Sequence, residues 1–171
     1  MGIYAYKGKS PQIDASCFIA PSADIIGDVS IGANSSVWYG AVIRADMAPI
    51  IIGKNVSIQD NSLVHVDSGI PTYIGDNVTV GHGAIIHAVT LEDNCLIGMG
   101  AIVLDEARIG HGSLVGAGAL VPPRKSIPPR SQVIGSPCTI KKQLSEEDEK
   151  GFIVHAQRYT RHAREYLEDK D

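Results

Sequence analysis

Three of the chain's six histidines, His65, His82 and His87, lie between positions 65 and 87, and Arg44 and Asp60 precede them closely. Neutral imidazole binds metals such as zinc through nitrogens at ~2.0–2.1 Å, and it also serves as a general base. A base needs one histidine, whereas a tight tetrahedral site needs at least three protein ligands. This grouping therefore points to a metal, provided that the fold brings the rings together.

The composition says what kind of fold that must be. Of 171 residues, 44% are hydrophobic but only 5% aromatic, and 22 Ile and 14 Val stand against 8 Leu. So many β-branched residues favour strands, and the scarcity of large rings, with 18 Gly, implies a thin interior. No apolar run approaches the ~20 residues that span a bilayer. The net charge of −4 and the lack of a Lys/Arg stripe argue against nucleic acid as a partner. Cys17, Cys95 and Cys138 are too widely spaced for a disulfide framework, and Met1–Ser10 lacks a signal-peptide pattern; the expected location is cytoplasmic.

Bulky aliphatic residues recur every six positions at Ile19, Ile25, Ile31, Val37 and Ile43, then at Ile52, Ile58 and Val64, and at Ile74, Val80 and Ile86. After a slip of one residue the count resumes at Leu91 and runs through Ile97, Val103, Ile109, Val115, Val121 and Ile127 to Val133. The fourth residue after an anchor is usually small or β-branched, as at Ala41, Ala84, Cys95 and Ala101, and Gly often follows the anchor directly. Six residues make one short strand and a corner, so three hexapeptides close a triangular coil that bonds to the coils above and below. The expected fold is an all-β solenoid over 1–140 with an N-terminal cap. Ser145-Glu-Glu-Asp148 reads as a helix start, and Phe152, Ala156, Tyr159, Ala163 and Tyr166 recur at helical spacing, so 141–171 should supply a helix that packs on the solenoid. Its charge run Glu146–Lys150 reads as a solvated first turn.

Two intervals exceed six: Ile43 to Ile52 is nine and Val64 to Ile74 is ten, as expected for loops bulging from corners. Subtracting these three and four extra residues leaves Arg44, His65 and His87 separated by 18, one full coil each. They form one column, with neighbours ~4.8 Å apart. Asp60 and His82 form a second column on a different face by the same arithmetic. His82 lies around a corner from His87, so its own chain does not bring it to the same ion. A heterologous contact that sets one subunit's first column against its neighbour's second supplies the third histidine, pairs Arg44 with the neighbour's Asp60, and closes into a ring. Three subunits suit a triangular prism best.

Val42-Ile-Arg-Ala-Asp46, Ile58-Gln-Asp-Asn61, Val64-His65 and Val80-Gly-His-Gly-Ala-Ile-Ile-His87 resemble the γ-class carbonic anhydrases. The likeness continues through Ile97-Gly-Met-Gly100 and Gly135-Ser-Pro137 into the terminal helix. It implies a left-handed β-helix and a homotrimer with Zn²⁺, Fe²⁺ or Co²⁺ at each interface, held by His65 and His87 of one chain and His82 of the next. It further implies that Arg44, Asp46 and Asp60 hold the interface, that Gln59 positions water or bicarbonate, and that Tyr159 approaches the metal. The implied activity is a lyase's, the reversible hydration of CO₂ to bicarbonate by water whose pKa the metal lowers toward ~7. Where the best-studied active members carry a glutamate, an asparagine and a long acidic loop, this chain has Met47, Ser57 and the short loop Val66–Tyr73, which makes Asp67 the candidate proton carrier. The rival readings are a hexapeptide acyltransferase or thioesterase acting on an acyl-CoA, and a metal-containing trimer with little anhydrase activity. His111 reads as solvated surface, His155 and His162 as exposed or packing residues, and Cys95 as core.

Overall fold

A computed structural model describes residues 2–169. The chain winds through about seven coils whose strands stack in parallel on three faces of a prism. The first face carries Gly2–Tyr4, the starts of the long strands Asp24–Ile31 and Val42–Ile52, then Leu63–His65, Ile85–His87, Ile102–Val103 and Leu120–Val121. The second carries Gln12–Ile13, the ends of the same two long strands, then Thr72–Ile74, Thr90–Leu91, Arg108–Ile109 and Ser126–Ile127. The third runs from Phe18–Ile19 to Ser131–Ile134, where Thr139–Gln143 turns back antiparallel and ends the stack. The C-terminal helix accordingly opens at Glu146, not at 141, and runs to Glu168. Among the described residues no helix is long and apolar enough to cross a membrane.

The count in sixes is the count of the coils. Ile25 pairs with Ile43, Ile43 with Val64, Val64 with Ile86, and Ile86 with Val103, intervals of 18, 21, 22 and 17. Each of these anchors is fully buried, with Ala41, Ala84, Cys95 and Ala101 beside them in the narrow interior. Burial pushes the Cys95 thiol up to about 12, consistent with a core residue and not a metal ligand.

Four features depart from or add to the sequence expectation. The three-residue excess is not a loop: Val42–Ile52 is one strand passing through the corner between the first and second faces, with the exposed Met47 on its bulge. The four-residue excess is a small hairpin bridged between Asp67 and Ile70. A further coil precedes Ile19, with Ile3 opposite Ile25 and Ile13 opposite Ile31, and its own hairpin bridges Tyr6 and Lys9. Finally, glycines that directly follow anchors are there for close approach: a Cβ on Gly98 would lie 2.4 Å from the Ala117 nitrogen. The left-handed corners between the second and third faces use Asn34, Asn55, Asn77 and Asn94, a residue that tolerates positive φ.

The helix lies on the third face, burying Ala156 and Ala163 above Phe18, Ser36, Ser57 and Thr79. Ser145 and Asp148 form a capping box at its start. Glu149 departs from the solvated turn expected of it. Its carboxylate accepts from Asn94 at 2.8 Å and contacts His111 Nδ1 at 3.1 Å, so His111 is a docking residue and not free surface. Asn94 is itself the end of a side-chain ladder through Asn77 and Asn55. Farther along the helix Arg164 donates to Asn34 at 3.1 Å.

Burial works to raise the Glu149 carboxyl, but the bonds from Asn94 and His111 outweigh it and hold the group below its usual range. A carboxylate depressed by folding stabilises the docked helix fully above its unfolded pKa and loses that contribution as pH falls through the folded value. Trp38, the single Trp, sits beneath the helix with Phe18 and Tyr166 at centroid distances of 5.1 and 5.3 Å, so its emission reports undocking. Between pH 7 and about 3 the Trp38 transition should be shallower in Glu149→Gln, which already lacks the charge at neutral pH. Equal pH dependence in the two proteins would contradict this docking role.

Candidate metal centre

His65 and His87 are direct partners across adjacent strands of the first face. Arg44 follows Ile43, which pairs with Val64, and so stands in the same column. His65 Nδ1 lies 3.1 Å from His87 Nε2. The outer nitrogens meet carboxylates: His65 Nε2 is 2.9 Å from Asp46 Oδ1, and His87 Nδ1 is 2.9 Å from Asp105 Oδ1. Arg44 also pairs with Asp46. Burial works to raise the Asp46 carboxyl, but the bonds from His65 and the backbone, with the Arg44 charge, hold it below its usual range.

An ionised carboxylate only accepts, so each imidazole places its proton on the nitrogen that faces the aspartate. The two nitrogens that face one another then both present lone pairs, an arrangement that repels unless a cation lies between. Their 3.1 Å separation is close to the ~3.3 Å between two nitrogens on neighbouring vertices of tetrahedral zinc. The donor set therefore suits a metal, although two ligands alone do not complete a site.

His82 and Asp60 stack as expected from the register, but along the corner between the third and first faces, in the turns that follow Thr79–Val80 and Ser57–Ile58. The His82 Nδ1 to Asp60 Oδ2 distance is 2.8 Å, so this ring too has a carboxylate on one nitrogen and leaves Nε2 free. The pair opens into a cleft of about 540 Å³ between corner and helix, lined also by Trp38, Tyr159, Arg158 and His162. Tyr159 both packs and lines: its ring meets Trp38 edge-on at 6.0 Å and borders the cleft. His162 stacks on Trp38 at 5.4 Å, and the half-buried His155 bonds Thr79 at 3.2 Å. Gln59 is buried on the third face, sharing a smaller cavity with Tyr159 and Gly81. It belongs with the His82 column, not the His65 column.

Among the described residues of one chain, no three His, Cys, Asp or Glu side chains converge as a metal cluster. The two columns lie at opposite edges of the first face, and what separates them is its outer surface. There Val42, Leu63, Ile85, Ile102 and Leu120 form an unbroken apolar row, each paired to the next across the sheet. Leu63 and Ile85 are exposed. The equivalent row on the second face is Ile51, Tyr73, Thr90, Arg108 and Ser126, and on the third the helix covers Phe18 to Thr79. Among the described residues, the row on the first face is apolar throughout and uncovered by the helix, and that face carries His65 and His87.

Sequence reasoning missed Asp105 and this apolar row. The row was readable in principle, since each member directly precedes a core anchor where alternation calls for a polar residue. Asp67 accepts from the Ser68 backbone within its own hairpin at 2.7 Å, and Ser57 accepts from the Trp38 indole at 3.1 Å.

The comparisons with known proteins agree with this fold. The family described as the hexapeptide repeat of succinyl-transferase matches residues 49–88, 71–105 and 89–123, and that described as the bacterial transferase hexapeptide matches 10–45. A carbonic anhydrase of Geobacillus kaustophilus is 49% identical over 146 residues, covering 85% of this chain and 80% of the relative. The mitochondrial gamma carbonic anhydrase 2 of Arabidopsis thaliana is 47% identical over 146 residues, or 82% of this chain, which spans about half (52%) of that longer protein. The crystal structure of a Bacillus cereus protein, provisionally named an acetyltransferase, superposes with a TM-score of 0.95 at 41% identity over 98% of both chains. With hexapeptide repeats along most of its length and nearly half of the aligned residues shared with carbonic anhydrases, this chain belongs to the γ-carbonic anhydrase family of hexapeptide-repeat proteins.

Proposed function

We propose that the chain is a metal-dependent carbonic anhydrase of a short-loop type, interconverting CO₂ and bicarbonate at sites shared between subunits of a homotrimer. The observation that carries this reading is the 3.1 Å approach of His65 Nδ1 to His87 Nε2, with an aspartate on the outer nitrogen of each ring. Those two rings hold the metal from one subunit and His82 of the next supplies the third ligand, with the apolar row of the first face as the contact between them. Zn²⁺, Fe²⁺ or Co²⁺ in this position supplies a water acidified toward neutral pH.

The chain's own residues do the rest. Asp46 and Asp60 hold the proton of their histidine partners away from the metal side, which fixes both tautomer and ring orientation. Arg44 neutralises Asp46 and faces the neighbouring subunit across the seam. Gln59 and Tyr159 border one cavity and so arrive together, presenting an amide and a phenol that orient the attacking water and the bicarbonate product. Hydration of CO₂ releases one proton per turnover, and Asp67 on its short hairpin is the carboxylate available to pass it to buffer.

Stopped-flow CO₂ hydration on fully metallated protein tests this directly. The expected result is acidification faster than buffer alone for the Zn²⁺ or Fe²⁺ form, abolished in His65→Ala. No rate above buffer for either form would refute the activity. A second reading draws on the transferase names of the matched repeats: an acyl-CoA enzyme using an interface histidine as general base. Coenzyme A raising the melting temperature of protein that retains no metal would favour it.

A further inference from the structure

Asp105 stands outside the metal ligands and the interface residues. It lies in the corner after Ile102–Val103, one coil beyond His87. Its position follows from the one-residue slip in the repeat. Between the first and second faces, the His87 coil turns in three residues, from His87 to Val89, because Ile86 pairs with Val103 while Thr90 pairs with Arg108. The next coil needs four, Leu104 to Ala107. The longer corner is pinned to both neighbouring coils, Glu106 donating to the Ala88 carbonyl and Arg124 donating to the Asp105 carbonyl, each at 2.7 Å. A corner of regular length beside one that is a residue short thus sets a carboxylate next to the outer nitrogen of His87, at 2.9 Å.

That carboxylate serves no other visible purpose. Asp46 divides itself between His65 and Arg44, whereas among the described residues no Lys or Arg pairs with Asp105; the nearby Arg124 is directed at Glu106, 3.9 Å away. An undivided carboxylate on Nδ1 holds the imidazole proton there and leaves the Nε2 lone pair pointing at His65.

We propose that Asp105 is a positioning residue of the metal centre, holding His87 as the Nδ1–H tautomer so that Nε2 is ready for the metal. This rests on the metal-centre reading above. With it, each of the three histidines has its own aspartate, Asp46, Asp60 and Asp105.

The test compares wild type, Asp105→Asn and Asp105→Glu by two readouts. In metal-free protein, imidazole nitrogen shifts measured by NMR should show His87 protonated at Nδ1 in wild type and redistributed toward Nε2–H in Asp105→Asn, whose amide can donate in its turn. Zinc affinity, measured by competition with a chromophoric chelator, should fall about 10- to 100-fold in Asp105→Asn and recover in part in Asp105→Glu. An unchanged His87 tautomer, or zinc affinity within about twofold of wild type in Asp105→Asn, would overturn the role of Asp105 while leaving the metal centre standing. Wild-type protein that binds no zinc would overturn the metal centre itself, and Asp105's role with it.

Discussion

A chain carrying Leu63→Glu and Ile85→Glu is expected to sediment as a folded monomer of about 18.2 kDa and to retain no metal. Both side chains point outward from the first face and are exposed in the single chain, so the change costs the solenoid core nothing. They sit at the middle of the apolar row that runs beside the His65–His87 column, and two adjacent charges there would be buried without partners when a second copy docks. Far-ultraviolet circular dichroism unchanged from wild type, with sedimentation at one-third of the wild-type mass, is the expected pair of observations. A variant that sediments with the same mass as wild type would show that the subunits do not meet through this row.

Single alanine substitutions of His65, His82 or His87 should have the second large effect. Each is expected to take retained metal from about one atom per chain to almost none, because two imidazoles do not make a tight tetrahedral site. The informative member is His82, whose ring lies around a corner from the other two and bonds Asp60. Within one chain it contributes nothing to the His65–His87 pair, so its loss matters only if another chain uses it. Metal content by plasma emission spectroscopy checks all three, and full retention by His82→Ala would remove it from the ligand set.

Much of this was readable from residue spacing because a triangular prism admits one bulky side chain every six residues and little else. Ile25, Ile43, Val64 and Ile86 are in register because they fill that prism, and the same constraint placed His65 beside His87 and Asp60 beneath His82. What escaped has specific causes. The first coil was hidden because Ile3 and Ile13 are separated by a hairpin insertion that the count in sixes cannot anticipate. Glu149 looked like ordinary helix-start acidity because its partners Asn94 and His111 are 55 and 38 positions away and meet it only once the helix has docked. Asp105 was missed because the slip that presents it reads as a defect in the repeat, with no polar signature of its own. Gln59 was assigned to the site from family likeness, and only the packing of the helix shows that it travels with His82 and Tyr159.

Ligand sharing between subunits is the central claim, and metal recovery on mixing tests it most directly. Chains bearing His65→Ala and chains bearing His82→Ala, each metal-free alone, are unfolded together, refolded at equal ratio and dialysed against zinc. In any mixed trimer one interface regains all three histidines, one lacks only His65 or only His82, and one lacks both ligand types. Random assembly then predicts roughly one zinc per four chains. Mixed trimers that bind no more zinc than either variant alone would contradict a site built from His65 and His87 of one subunit and His82 of the next.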